Sequence, residues 1–195
     1  MLIALCGKSG SGKTTLANLL KEKNKNVVHL DIDKIGHEAL LTEEVKQELF
    51  RIYGNLINND GQIDRKRLAE IVFNKRKDMD ILTKITWSYM EKKIDDFINQ
   101  NKNKIIILDW ILLTKTKYLD MCKVKILLNI PYEVRKNRVI RRDGISEFAF
   151  QLRDSNSPEY NPEDFDYVIH DEEEMKRKLV NLVWQKFYIQ VHLIL

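Results

Sequence analysis

Short apolar runs alternate with longer amphipathic stretches along this chain, and their order predicts a fold class. Leu2-Ile3-Ala4-Leu5-Cys6, Val27-Val28-His29-Leu30-Asp31 and Ile105-Ile106-Ile107-Leu108-Asp109 are strand-length and mostly apolar. Residues 124–130 and the short run Tyr167-Val168-Ile169 repeat the type. Strands read this way when helices cover both faces of a parallel sheet. Between the runs the apolar period lengthens to that of a helix, as at Leu68, Ile71 and Val72 and again at Ile81, Leu82 and Ile85. The pattern predicts an α/β fold with a five-stranded parallel sheet flanked by helices. Residues 36–100 are too long for one crossover and predict a helical subdomain, broken at Gly54 and at Asn58-Asn59-Asp60-Gly61. Pro131 suits the first turn of a helix carrying Arg135, Arg138, Arg141 and Arg142. Residues 143–164 are rich in Asp, Ser, Asn and Pro and read as a mobile lid loop. Asp171 is placed to cap a last helix that opens with Glu172, Glu173 and Glu174.

Length and composition narrow the picture only a little. A chain of 195 residues fits a single domain, here 1–195, and can bury a sizeable core. The net charge of +4 comes from lysines scattered through the chain rather than gathered in a basic stripe, so no nucleic-acid partner is expected. No apolar stretch reaches the length of a membrane helix, and Cys6 and Cys122 show no metal or disulfide spacing, which leaves a cytoplasmic protein as the expectation. The apolar tail from Tyr188 to Leu195 is expected to dock on the body or on a neighbouring subunit, in a monomer or a weak homo-oligomer.

The chemistry begins at residues 7–14, Gly-Lys-Ser-Gly-Ser-Gly-Lys-Thr, between the first strand and a helix. This fills every fixed position of the phosphate-binding pattern G-x-x-x-x-G-K-[ST]. Gly7, Gly10 and Gly12 let the backbone curl so that N–H groups face phosphate oxygens, with Lys8, Ser9 and Ser11 between them and Thr15 following. Lys13 brings positive charge to the β- and γ-phosphates of ATP, and the Thr14 hydroxyl is placed to ligate Mg²⁺. The positive end of the helix adds to the anion site.

Three further groups are candidates. Asp31-Ile32-Asp33 sits just after the second strand, at the carboxyl edge where open α/β sheets bind ligands. Either acid could orient or deprotonate a hydroxyl, and an extended segment would put both on one side; the alternative is a helix cap before Lys34. Asp109 ends a strand, as does an acid that holds Mg²⁺ directly or through water, or it is an ordinary strand-end residue. Arg135, Arg138 and Arg142 share a helix face before the lid, as phosphate clamps or as a solvated face. The four histidines show no metal-binding pairing, and the base-reading Asn-Lys-x-Asp of a GTPase is lacking.

Taken together, the sequence resembles the dephospho-CoA kinases, which phosphorylate the ribose 3′-hydroxyl in the last step of coenzyme A synthesis. Beside the loop, the resemblance rests on Asp31-Ile32-Asp33, Tyr53-Gly54, Gly61-Gln62-Ile63-Asp64-Arg65 with Leu68 and Val72-Phe73, and Leu112-Leu113. It continues through Arg142-Asp143-Gly144-Ile145-Ser146, Arg153 and Asp166-Tyr167-Val168-Ile169. The resemblance implies a P-loop kinase fold with ATP and Mg²⁺ as cofactors. It also implies Asp33 as the base, Lys13 and Arg142 as phosphate-facing catalytic residues and Arg138 at the nucleotide. Asp31, His37, Arg65, Asp109 and Leu112 then fall on the acceptor side, with dephospho-CoA as the small-molecule partner. Departures fall on that side too: His37 stands where the family has Arg, Thr86-Trp87 replaces His-Pro, and Ile111-Leu112-Leu113-Thr114-Lys115 lacks the family's proline and acid. Ser157 stands where a lid glutamine is expected. A P-loop kinase of a nucleoside or nucleotide, or a nucleotide-binding regulator without catalysis, are the other readings.

Overall fold

The computed structural model describes residues 1–54, 56, 58, 61–74 and 76–175. The apolar tail and all but the start of the last helix lie outside these residues, as do Asn59 and Asp60 of the turn cluster. The chain opens with β1 (Leu2–Cys6), α1 (Lys13–Lys23) and β2 (Val27–Asp31). Four helices follow: α2 (Ile32–Ala39), α3 (Glu43–Tyr53), α4 (Arg65–Asn74) and α5 (Arg76–Gln100). Then come β3 (Ile105–Asp109), α6 (Tyr118–Met121), β4 (Val124–Leu128), α7 (Tyr132–Asp143) and α8 (Glu147–Ser155). The described chain closes with β5 (Tyr167–Ile169) and α9 (Glu172–Glu174).

The strands form one parallel sheet in the order β2-β3-β1-β4-β5. Successive side chains of a strand point to opposite faces, and the sheet uses both. Ile3 and Leu5 pack on one side with Leu16 and Leu20 of α1; Ala4 and Cys6 face Ile35 of α2 and Met90 and Ile94 of α5 on the other. A second hydrophobic core gathers residues of α2, α3 and α4, in which Leu49 and Leu56 are almost wholly buried beside Leu68 and Val72. The parallel register sets Asp31 opposite Asp109, and Asp109 opposite Leu5. Both acids therefore end their strands at the edge from which the phosphate loop departs.

Three sequence expectations change. The chain does not stay extended after β2: α2 begins at Ile32, and Asp31 caps it by accepting the Lys34 amide at 3.3 Å, which is the alternative the sequence offered. The cap, and not an extended segment, decides where Asp31 and Asp33 point. The fourth strand stops two residues before Ile130, at Leu128. The segment 143–164 is not one long loop. Ser146 Oγ accepts the Ala149 amide at 3.1 Å and starts α8, which drives Phe150 into full burial; a 3₁₀ turn follows at Pro162–Asp164. Polar residues on the outer face of α8 hid one apolar stripe.

Candidate active site

The loop between β1 and α1 is held by close backbone approach. Gly10 has φ +80°, and a Cβ there would stand 2.7 Å from the Arg135 carbonyl oxygen, so only glycine fits against α7. The loop closes on itself through the Ser11 amide, 3.1 Å from the Lys8 carbonyl. Gly12 caps α1 with no side-chain hydrogen bond, and the first turn of α1 carries no acidic residue. The first amides of that helix are thus left to an incoming anion. Ser11 is 1% exposed, and its Oγ finds no hydrogen-bond partner among the described residues. A buried polar atom of that kind calls for an oxygen-bearing guest.

Around the loop the charges converge. Lys13 Nζ donates to the Gly7 carbonyl at 3.0 Å and lies 3.9 Å from Asp109 Oδ1. Thr14 Oγ1 donates to Asp109 Oδ2 at 3.4 Å. The Asp109 carboxylate is 3% exposed as a residue and is held from the other side by His29 Nε2 at 3.2 Å. Thr14 and Asp109 are hard oxygen donors side by side, and they fit a divalent cation whose remaining ligands are phosphate oxygens and water. Among the described residues no group of three His, Cys, Asp or Glu side chains forms a self-contained metal site. Thr15 follows, exposed on α1.

Asp33 stands in the first turn of α2, open to solvent yet ringed by protein. That enclosure raises its pKa to about 6; Lys13 opposes the rise, Asp109 and Asp31 add to it, and a hydrogen bond from the Trp110 indole favours the charged form. Its accessible surface lets an acceptor reach it, and its pKa suits a proton acceptor near neutral pH. Beyond it, His37 is held below its usual pKa by burial and then by the Arg65 charge, with Asp31 pulling the other way. Asp31, His37 and Arg65 thus form one neighbourhood. Leu112 is half-buried and packs with the Trp110 cluster.

The arginines of α7 separate. Arg138 Nη1 donates to the Gly10 carbonyl at 3.2 Å and its Nη2 to Glu172 at 2.8 Å. Arg135 is buried and paired with Asp154 of α8, so the phosphate face expected of the three arginines does not include it. Arg142 points along the lid side, bonding Asp143 at 2.6 Å and 3.0 Å, and Asp143 also accepts from Arg153 at 2.8 Å. Lys8 reaches Glu159 at 2.5 Å.

Three neighbours went unread in the sequence. Trp110, stacked on Trp87 at 5.8 Å between centroids and 10° between planes, floors Asp33. Tyr160 donates to the Ile111 carbonyl at 2.7 Å, and burial pushes its hydroxyl pKa up. His29 is the third. Its strand position carried the only signal, since residues 29 and 31 alternate onto one face, and the order of strands was needed to see what lies there.

Comparison with known proteins places this arrangement. A family model described as dephospho-CoA kinase matches residues 1–175. The dephospho-CoA kinase of Fusobacterium nucleatum is 33% identical over 147 residues, which are 75% of this chain and 75% of that protein. Among solved structures, one from Thermus thermophilus superposes with a TM-score of 0.75 at 23% identity, covering 95% of this chain and 97% of its own. The dephospho-CoA kinase of Campylobacter jejuni superposes with a TM-score of 0.63 at 22% identity, over 94% of this chain and 96% of its own. At these identities the two structures establish the fold alone.

Proposed function

The chain belongs to the dephospho-CoA kinase family, and from that premise we propose how its residues divide the ATP-dependent phosphorylation of dephospho-CoA. The amides at the start of α1 and the Gly7–Thr14 loop hold the nucleotide phosphates, and Lys13 meets the charge that develops on the transferred group. Arg138 lies against the loop on the nucleotide side. Thr14 and Asp109 would hold Mg²⁺, which would supply positive charge against the phosphates. Asp33 accepts the proton of the acceptor's 3′-hydroxyl as that oxygen attacks. Asp31, His37 and Arg65 orient the acceptor, with Leu112 at the edge of the Trp110 cluster. Arg142 reaches the transferred phosphoryl group once the lid side closes, leaving Asp143 to Arg153. A cytoplasmic, monomeric or weakly associating protein suits this chemistry.

The observation that carries the assignment is the placement of Asp33: accessible, with a pKa near 6, and within the field of Lys13. Asp33→Asn keeps size and hydrogen bonding but cannot take the proton. It is expected to lower kcat by roughly 10²–10⁴ while ATP affinity changes little. A larger loss in Asp31→Asn than in Asp33→Asn would reverse the two roles.

A further inference from the structure

Arg135 and Asp154 are both nearly buried, at 6% and 8% exposure, and their side chains form an ion pair between α7 and α8. Charges are kept out of water only where their partners are complete. Arg135 has further partners: its Nε donates to the Ile130 carbonyl at 2.9 Å, and its Nη1 reaches the Ser9 carbonyl of the phosphate loop at 3.5 Å. The loop rests on the same residue at Gly10, where a Cβ would meet the Arg135 carbonyl at 2.7 Å and Val139 Cγ2 at 2.8 Å. One turn further, Arg138 takes the next loop carbonyl, that of Gly10, at 3.2 Å.

Two successive carbonyls of the loop therefore face guanidinium groups of α7. In a planar trans peptide the C=O and the N–H point in opposite directions. With the Ser9 carbonyl turned toward Arg135, the Gly10 amide turns away from α7. The lid helix thus acts on the phosphate loop through one buried pair: Asp154 sets the guanidinium, and the guanidinium sets the Ser9–Gly10 peptide. We infer that Arg135 and Asp154 are positioning residues that couple ATP affinity to the seating of α8. The inference rests on the loop being the ATP site, as proposed above.

The test compares the wild type with Arg135→Met, Asp154→Asn and the double variant Arg135→Met/Asp154→Leu. Binding of a non-hydrolysable Mg²⁺–ATP analogue is measured by calorimetry, beside thermal unfolding and turnover of dephospho-CoA. Arg135→Met is expected to weaken analogue binding roughly tenfold, the scale of a modest coupling between sites. Asp154→Asn, which keeps the shape but loosens the guanidinium, should weaken it by less. KM for ATP rises in both, while kcat at saturating ATP holds. The double variant replaces a buried pair by apolar side chains and should regain most of the melting temperature without regaining affinity. A double variant that binds the analogue as the wild type does, while the wild type binds and turns over, overturns this inference alone. A wild type that does not bind the analogue overturns the assignment of the loop and this inference with it.

Discussion

Asp33 is the residue whose electrostatics carry the most testable content. Its pKa is raised to about 6 by enclosure, against an ordinary value of 3.8, so the folded protein binds this proton more tightly than the unfolded chain does. The sign follows: stability falls as pH rises through the window between those values, and the ionised carboxylate is a burden above it. Asp33→Asn should therefore melt higher than the wild type at pH 8, with the gain shrinking through pH 6 and gone below about pH 4. The activity of the wild type moves the opposite way: kcat/KM for dephospho-CoA should drop with a single inflection near pH 6 on the acid side, and a profile flat to pH 5 would remove Asp33 as the base. Lys13 is the second residue-scale case. Lys13→Ala should fold normally and lose roughly 10²–10³ in turnover, because the ammonium acts on charge that appears during transfer. Near-normal turnover in a folded variant would sink the role given to this lysine. The departures from the family's sequence pattern also become physical at this scale. Trp87, where the family has proline, keeps the backbone N–H that a proline lacks, so α5 runs unbroken over Arg76–Gln100 and brings Trp87 onto Trp110.

Among the elements, what the sequence made legible was whatever depended on local pattern. All five described strands lie where apolar runs placed them, because burial on both faces leaves little room for another reading. The loop and α1 were equally plain, since the glycine spacing and the helix start agree. The cap of Asp31 on Lys34 is local, and the sequence offered it as the alternative to an extended segment. Arg135 is different: neither a phosphate clamp nor a solvated face describes it, because its partner, Asp154, comes from α8. Segment 143–164 was misread because the polar face of α8 outnumbers its buried residues. That helix gives a direct check: Phe150 is fully buried against Tyr132, with ring centroids 5.3 Å apart. Phe150→Ala should cost about 3–5 kcal/mol if α8 belongs to the cooperative unit. Denaturant unfolding with an unchanged midpoint would mean that α8 unfolds independently of the sheet. The lid role carries its own expectation: amides of 143–164 should gain hydrogen-exchange protection when an ATP analogue and dephospho-CoA are both present. Equal protection with and without the ligands would make the segment a fixed structural part.

At the scale of the whole molecule, one sheet edge gathers a phosphate loop, two strand-end acids and a helix-borne carboxylate, and the family supplies the acceptor that fits them. No described helix is long and apolar enough to cross a membrane. This chain, as a member of the family, transfers the γ-phosphoryl group of ATP to dephospho-CoA in spite of the altered residues at His37, Thr86-Trp87 and Ile111–Lys115. Nucleoside and nucleotide kinases share the phosphate loop, so the choice of acceptor is what separates the readings. The most direct measurement is ADP release from Mg²⁺–ATP with dephospho-CoA, nucleosides or nucleoside monophosphates as acceptor, with the product identified by mass. ADP and coenzyme A are expected in equal amounts from dephospho-CoA, with nucleosides and monophosphates far behind. Faster phosphorylation of a nucleoside or monophosphate, with dephospho-CoA left unchanged, would contradict this expectation.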